Sequence, residues 1–152
     1  MTTPVFVSNS ITINAPATEV WDALVNPEKT KIYMFGCEAI SGWKPGDKLL
    51  WKGIFDGKEL VAVKGEIVSI EPGSRLEYTT FDPNNPAMAD APENYLNVIY
   101  ELQEIEGKTM LTVSQGDFSI VANGEQRYKE VYNNGEGWNP ILIQIKALVE
   151  SK

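Results

Sequence analysis

The chain has 152 residues, 43% of them hydrophobic, and its thirteen Lys and Arg face twenty-one Asp and Glu, which gives a net charge of −8. This length fits one domain that buries a core without disulfides, and the acidic average field disfavours nucleic acids and anionic membrane surfaces as partners. With no histidine and one cysteine, Cys37, the sequence excludes a Ser-His-Asp triad, a Cys-His pair, an imidazole zinc site and an internal disulfide. The sequence leaves a metal site built on carboxylates open, but its acidic residues show no calcium-loop spacing, and we expect no metal or cofactor.

The first quarter of the chain predicts one strand and two short helices. Residues 5–13 place apolar side chains at period two, which is typical of a strand. Residues 16–24 begin with a proline suited to a first helical turn and continue with apolar residues at helical spacing. Asn26 is a plausible helix cap, and Pro27 then opens a second helix that we expect to run to about Phe35.

From Glu38 onward the pattern changes to short strands separated by turn signals. The strings Asp56-Gly57 and Glu106-Gly107-Lys108 mark hairpins. Besides the first strand, the pattern predicts strands within residues 38–55, 60–70, 76–81, 95–105 and 109–115.

One connection is unusually long. Residues 82–94 hold three prolines and three asparagines with few apolar groups, and loops of this length are uncommon in compact domains. Two interpretations remain open: a variable surface loop, or a lid over the mouth of a pocket.

The last quarter of the chain is predicted to be helical with an interruption. Apolar residues recur at helical spacing on both sides of residues 134–140, a segment with two glycines and a proline. We therefore expect a break there, with Pro140 opening a long C-terminal helix.

The alternation of side chains within the strands predicts an apolar pocket. The faces expected to point inward combine large aromatic residues with small or polar ones, which is the composition of ligand sites. A helix packed on such a curved sheet need not fill the space. The candidate ligand-binding side chains are Trp51, Phe55, Tyr78, Thr80, Tyr100, Gln115, Phe118, Tyr132 and Trp138.

Each candidate also has a simpler interpretation. The aromatic rings can pack against the helix as ordinary core residues, and Trp138 can anchor the start of the helix to the sheet. Glu66 and Glu77 could form an acid–base pair, but strand alternation places Glu77 on the outward face. Cys37 has no neighbouring base, so we expect a structural thiol.

The chain shows no targeting or membrane-spanning segment. Residues 1–5 lack a basic region followed by an apolar stretch, and no segment reaches the roughly 18 apolar residues that a membrane helix needs. Because a lone cysteine suits a reducing compartment, we expect a cytoplasmic protein that does not insert into a membrane.

Several local strings resemble the START-like helix-grip (SRPBCC) superfamily, most closely its branch related to the C-terminal domain of the activator of Hsp90 ATPase. The strings are INAP (13–16), VWDAL (20–24), GEIVSIEP (65–72), RLEY (75–78), TVSQGDF (112–118) and EGW (136–138). The resemblance covers nearly the whole chain. It implies an α+β helix-grip fold, with a curved antiparallel sheet of about six to seven strands around a long C-terminal helix.

The resemblance also implies a cavity between helix and sheet, in which relatives hold lipids, hormones, polyketides or other hydrophobic molecules. It does not transfer one function, so three hypotheses stand. The leading one is binding or carriage of a small hydrophobic molecule. The others are a protein-interaction domain whose partner is a chaperone, and a cyclase, dehydratase or hydrolase in which Tyr78, Tyr100 or Gln115 polarises a ligand carbonyl.

Overall fold

The computed structural model describes residues 5–84, 86 and 88–151. Residues 1–4, part of the segment in which no signal peptide was expected, and positions 85 and 87 of the predicted loop lie outside this description. The strands are β1 (Val7–Ile13), β2 (Glu38–Ser41), β3 (Lys48–Phe55), β4 (Lys58–Glu71), β5 (Arg75–Thr80), β6 (Leu96–Ile105) and β7 (Lys108–Gly116). The α-helices are α1 (Ala17–Val25), α2 (Pro27–Tyr33), α3 (Gly124–Tyr132) and α4 (Asn139–Glu150), with single 3-10 turns at Pro92–Asn94 and Asn133–Gly135.

The strands form one sheet in the order β1-β7-β6-β5-β4-β3-β2, and every pairing is antiparallel. Hairpins at 56–57 and 106–107 connect β3 to β4 and β6 to β7, as their turn residues predict. The expectation of an α+β helix-grip fold with six to seven strands is confirmed.

Two irregularities bend the sheet. Trp51 pairs with Val63 and Lys52 pairs with Val61, so Ala62 is an extra residue without a partner across the ladder. A second shift separates Ile67 from Ser69 in the pairing of β4 with β5. Such bulges increase local twist and curvature, and both lie on the strands that turn the sheet into a trough.

Gly65 allows β4 and β5 to approach closely at this bend. A Cβ atom built on Gly65 would lie 1.6 Å from the Thr79 carbonyl oxygen, a distance that no real side chain tolerates. The Thr79 hydroxyl accepts a hydrogen bond from the Glu66 amide, 2.9 Å away, in place of a regular ladder bond. The backbone is therefore satisfied although the register shifts.

The first two helices form a tight corner at one end of the sheet. The Asn26 side chain accepts a hydrogen bond from the Glu28 amide and caps α2. The buried Tyr33 hydroxyl donates to the Ala23 carbonyl oxygen over 2.8 Å, which ties α2 to α1. α2 ends two residues before the expected Phe35, because Phe35 adopts a positive φ of 55° outside the helix.

The C-terminal helical region is divided as the glycines predict. Asn133, Asn134, Gly135 and Gly137 all have positive φ between α3 and α4. A Cβ on Gly137 would meet the Asn9 Oδ1 atom at 2.3 Å, so glycine is required both for its φ and for this approach to β1.

Helix α4 fills only part of the trough. Its twelve residues span about 18 Å, and it packs on β1, α1 and α2 through the buried Leu142, Ile145 and Val149. Among the described residues, Trp138, directly before α4, lines a cavity on the concave side of the sheet, whereas no residue of α4 does. Within the described residues, no helix is long and apolar enough to cross a membrane.

A candidate ligand-binding cavity

A cavity of about 460 Å³ occupies the part of the trough that α4 leaves uncovered. It lies between the concave face of the sheet, the residues that follow α2 and the indole that precedes α4. Its lining is mostly apolar: Met34, Phe35, Cys37, Trp51, Phe55, Ala62, Val63, Tyr78, Thr80, Phe81, Asp82, Val98, Gln115 and Trp138.

The floor of the cavity is a row of side chains that crosses three strands. Tyr78 of β5 is opposite Val98 of β6, which is opposite Gln115 of β7. Residues directly opposite in neighbouring strands share a face, so the alternation of β5, β6 and β7 brings these three to the concave side. Trp51 extends the floor, with its ring centroid 6.2 Å from that of Tyr78.

Tyr78 of this floor is paired with a second buried tyrosine, Tyr100. The hydroxyl oxygens of Tyr78 and Tyr100 are 2.6 Å apart and form a hydrogen bond, and both rings are almost wholly buried. Burial raises the pKa of Tyr78 well above its usual range and also raises that of Tyr100. Both phenols therefore stay protonated and neutral at physiological pH.

Trp138 both anchors the start of α4 and lines the cavity, the two roles that the sequence left open. Its backbone amide donates to Asn9 Oδ1 over 2.9 Å, which anchors the start of α4 to β1. Its indole lines the cavity, and Nε1 donates to Gln115 Oε1 over 3.0 Å. The helix anchor is thus also a cavity wall.

The mouth of the cavity is formed by exposed and half-buried side chains. Phe35 is 77% exposed although it lines the cavity, and Asp82 is the exposed acidic residue of the lining. The Asp82 carboxylate accepts a hydrogen bond from the Asn84 amide at the start of the long loop. Cys37 lies deeper, and burial raises the pKa of its thiol, which keeps it in the less reactive protonated form.

Six of the nine side chains predicted from the sequence line this cavity, and three do not. Tyr100 points to the same side of the sheet, but Tyr78 and the Trp138 indole cover it. Phe118 is buried against Tyr128 of α3, and Tyr132 stacks on the same Tyr128 ring and is 45% exposed.

Other lining residues were missed by the sequence reasoning. Ala62 and Val63 enter the lining together because the bulge breaks the alternation there. Met34 and Phe35 follow the end of α2, where the helical periodicity no longer applies. Phe81 was predicted as the last residue of a strand and was given no part in the site, although the inward-facing Tyr78 on the same strand was a usable signal.

The outer face of the sheet carries a second depression of different chemistry. It measures about 510 Å³ and contains Lys64, Asp90 and Tyr95. Lys64 forms an ion pair with Asp90, which also accepts a hydrogen bond from the Tyr95 hydroxyl over 2.6 Å. These contacts lower the pKa of Asp90 and satisfy the charges locally, so the groove is a less apt place for an apolar molecule.

The suggested acid–base pair lies outside the apolar cavity. Glu66 borders the outer groove. Glu77 forms an ion pair with Arg75 at 3.2 Å and accepts a hydrogen bond from the Asn97 side chain over 2.7 Å.

A curved antiparallel sheet with a C-terminal helix packed across part of it defines the helix-grip class of fold. The chain belongs to the family described as Activator of Hsp90 ATPase homolog 1-like protein, which it matches over residues 14–150. This confirms the resemblance inferred from the local strings. The family and the fold fit a ligand-binding or interaction domain.

Solved structures show the same architecture. The chain is similar to ChR145 from Cytophaga hutchinsonii, with 32% identity, a TM-score of 0.76, and coverage of 99% of this chain and 97% of that one. CalU16 from Micromonospora echinospora (21% identity, TM-score 0.69, 95% and 74% coverage) and the Aha1 dimer from Colwellia psychrerythraea (14%, 0.67, 96% and 96%) share the fold. No curated protein matches this chain.

Proposed function

We propose that the protein binds a small hydrophobic molecule in the cavity and thereby sequesters or carries it. The observation that carries the proposal is the mostly apolar cavity of about 460 Å³ between the concave face of the sheet, the residues that follow α2 and the Trp138 indole. Ligand sites commonly enclose about 300–1,000 Å³ and combine apolar walls with a few polar groups. The lining has this composition, with Thr80, Gln115 and Asp82 as its polar members beside the aromatic rings.

A dye-displacement experiment tests this proposal. The neutral dye N-phenylnaphthylamine should bind with increased fluorescence and be displaced by apolar molecules extracted with organic solvent from the purified protein. Ala62→Phe places a phenyl group in the cavity at the unpaired bulge residue and should abolish dye binding. Val68→Phe adds the same group on the exposed side of β4 and serves as the matched control. Equal dye binding by the two variants would contradict the proposal.

The second candidate function is docking to a chaperone, which the family description favours. Two large apolar side chains, Phe35 and Ile54, are 77% and 74% exposed, and exposed apolar groups are common at protein interfaces. Ile54 is not among the lining residues of the cavity. If docking is the function, Ile54→Ser should therefore weaken binding to a purified Hsp90-type chaperone and leave dye binding intact. If carriage is the function, Ala62→Phe should abolish dye binding and leave chaperone binding intact.

Catalysis has weaker support. Tyr78 and Cys37, two ionisable groups of the lining, are both held protonated by burial. A general base needs a pKa near the working pH, which neither group offers. The Gln115 amide suits a binding role.

A further inference from the structure

We infer that the ligand of this cavity is an uncharged molecule whose hydrogen-bond acceptor is held by the Gln115 side-chain amide. This inference rests on the proposed binding function and specifies its ligand class. An ester, ketone or amide on an apolar framework fits it, whereas a fatty acid anion does not.

The orientation of the Gln115 amide follows from its partner. An indole N–H can only donate, so the atom that faces Trp138 Nε1 at 3.0 Å must be the oxygen of Gln115. The nitrogen, Nε2, then points away from the indole. Among the described residues, none accepts a hydrogen bond from Nε2. Gln115 therefore offers a donor whose direction is set by the contact with Trp138.

The position of Gln115 places this donor at the cavity floor. Gln115 is half-buried, lines the cavity and stands in the cross-strand row with Val98 and Tyr78. An acceptor on a ligand lying on this row would replace the water that otherwise satisfies Nε2. Such an amide gives orientation to a ligand whose affinity comes mainly from its apolar surface.

The charges around the cavity exclude an anionic ligand. The sequence has no histidine, and the described lining contains no Lys or Arg. A carboxylate inside would be desolvated without a counter-charge, which is strongly unfavourable. A carboxylate left at the mouth would instead meet the exposed Asp82 carboxylate.

Four small probes test the inference: butylbenzene, methyl hydrocinnamate, hydrocinnamate and protonated phenylpropylamine. Binding is followed by calorimetry and by displacement of N-phenylnaphthylamine at neutral pH. We expect the ester to bind at least about tenfold more tightly than the carboxylate. Equal affinity of the two, or tightest binding by the ammonium, would overturn the inference.

Two variants separate the hydrogen bond from general apolar burial. Gln115→Glu keeps an acceptor for Trp138 but loses the N–H donor, and Gln115→Met removes both without adding charge. Because one neutral hydrogen bond is involved, both should weaken the ester about tenfold, and Gln115→Met should leave butylbenzene unchanged. Ser114→Ala, on the opposite face of β7, is the control.

The outcomes distinguish a failure of ligand binding from a failure of the contact with Gln115. If butylbenzene does not bind and displaces no dye, the binding function itself fails and the ligand class fails with it. If butylbenzene binds but Gln115→Met weakens it as much as the ester, the cavity binds ligands and the role assigned to Gln115 is wrong. Thermal melting of each variant shows whether a loss of binding comes from unfolding.

Discussion

The Tyr78–Tyr100 pair offers a direct test of how the buried floor of the cavity is stabilised. The two hydroxyl groups are hydrogen-bonded to each other, and no other described residue bonds either of them. Tyr78→Phe leaves the Tyr100 hydroxyl buried without a partner, which should lower the free energy of unfolding by about 1–3 kcal/mol. Tyr100→Phe should cost a similar amount, because it leaves the equally buried Tyr78 hydroxyl without its partner.

The double substitution separates pairing from burial. It removes both hydroxyls and leaves two phenyl rings in the same apolar surroundings, so its cost should fall below the sum of the single costs by about 1–2 kcal/mol. Urea denaturation followed by circular dichroism measures this, with equal m-values as the condition for comparison. Tyr95→Phe, at a surface hydrogen bond to Asp90, is the control and should cost less than about 1 kcal/mol. Additive costs for Tyr78 and Tyr100 would refute the reasoning.

Three further predictions follow from the geometry. Burial raises the pKa of Tyr33, Tyr78 and Tyr100, so the folded chain keeps protons that unfolded tyrosines lose. Their contribution to the free energy of unfolding should be fully present below the ordinary tyrosine pKa and fall above about pH 10, by about 1.4 kcal/mol per pH unit for each such tyrosine. If Tyr33→Phe leaves the slope of unfolding free energy against pH unchanged in alkaline urea titrations, this prediction is wrong. Gly65→Ala should destabilise by at least about 2 kcal/mol because its Cβ meets the Thr79 backbone, whereas Gly73→Ala, in an open turn, should cost about 1 kcal/mol; similar melting temperatures would contradict the close approach. Asp82→Asn should strengthen hydrocinnamate binding a few-fold at low salt, with the gain lost at high salt and no change for the methyl ester; a salt-independent gain would show that Asp82 acts by another route.

Much of the fold could be predicted because local chemistry and global architecture agree. The two-residue turn at Asp56-Gly57 requires a positive φ at both positions, which Asp and Gly tolerate. The observed φ values of 53° and 77° agree with this prediction. The alternation in β5, β6 and β7 assigned Tyr78, Val98 and Gln115 to one face, and these residues stand side by side.

The site was less predictable because it depends on departures from regularity. Ala62 and Val63 both reach the cavity through a bulge, which alternation cannot foresee. Phe35 lines the mouth after its helix has ended, and Tyr100 shares the inward face but lies under Trp138. Phe118 and Tyr132 follow the last strand, so the alternation of strand residues could not show whether they face the concave side of the sheet.

The unpaired bulge residue has a consequence for how this scaffold can vary. Ala62 has no partner across the ladder and faces the cavity, so its size sets the capacity of the chamber without a cost in strand pairing. Under the binding function proposed above, a larger side chain at this position would restrict the cavity to smaller ligands while the strands keep their alignment. The irregularity that bends the sheet would then set ligand size without altering the framework.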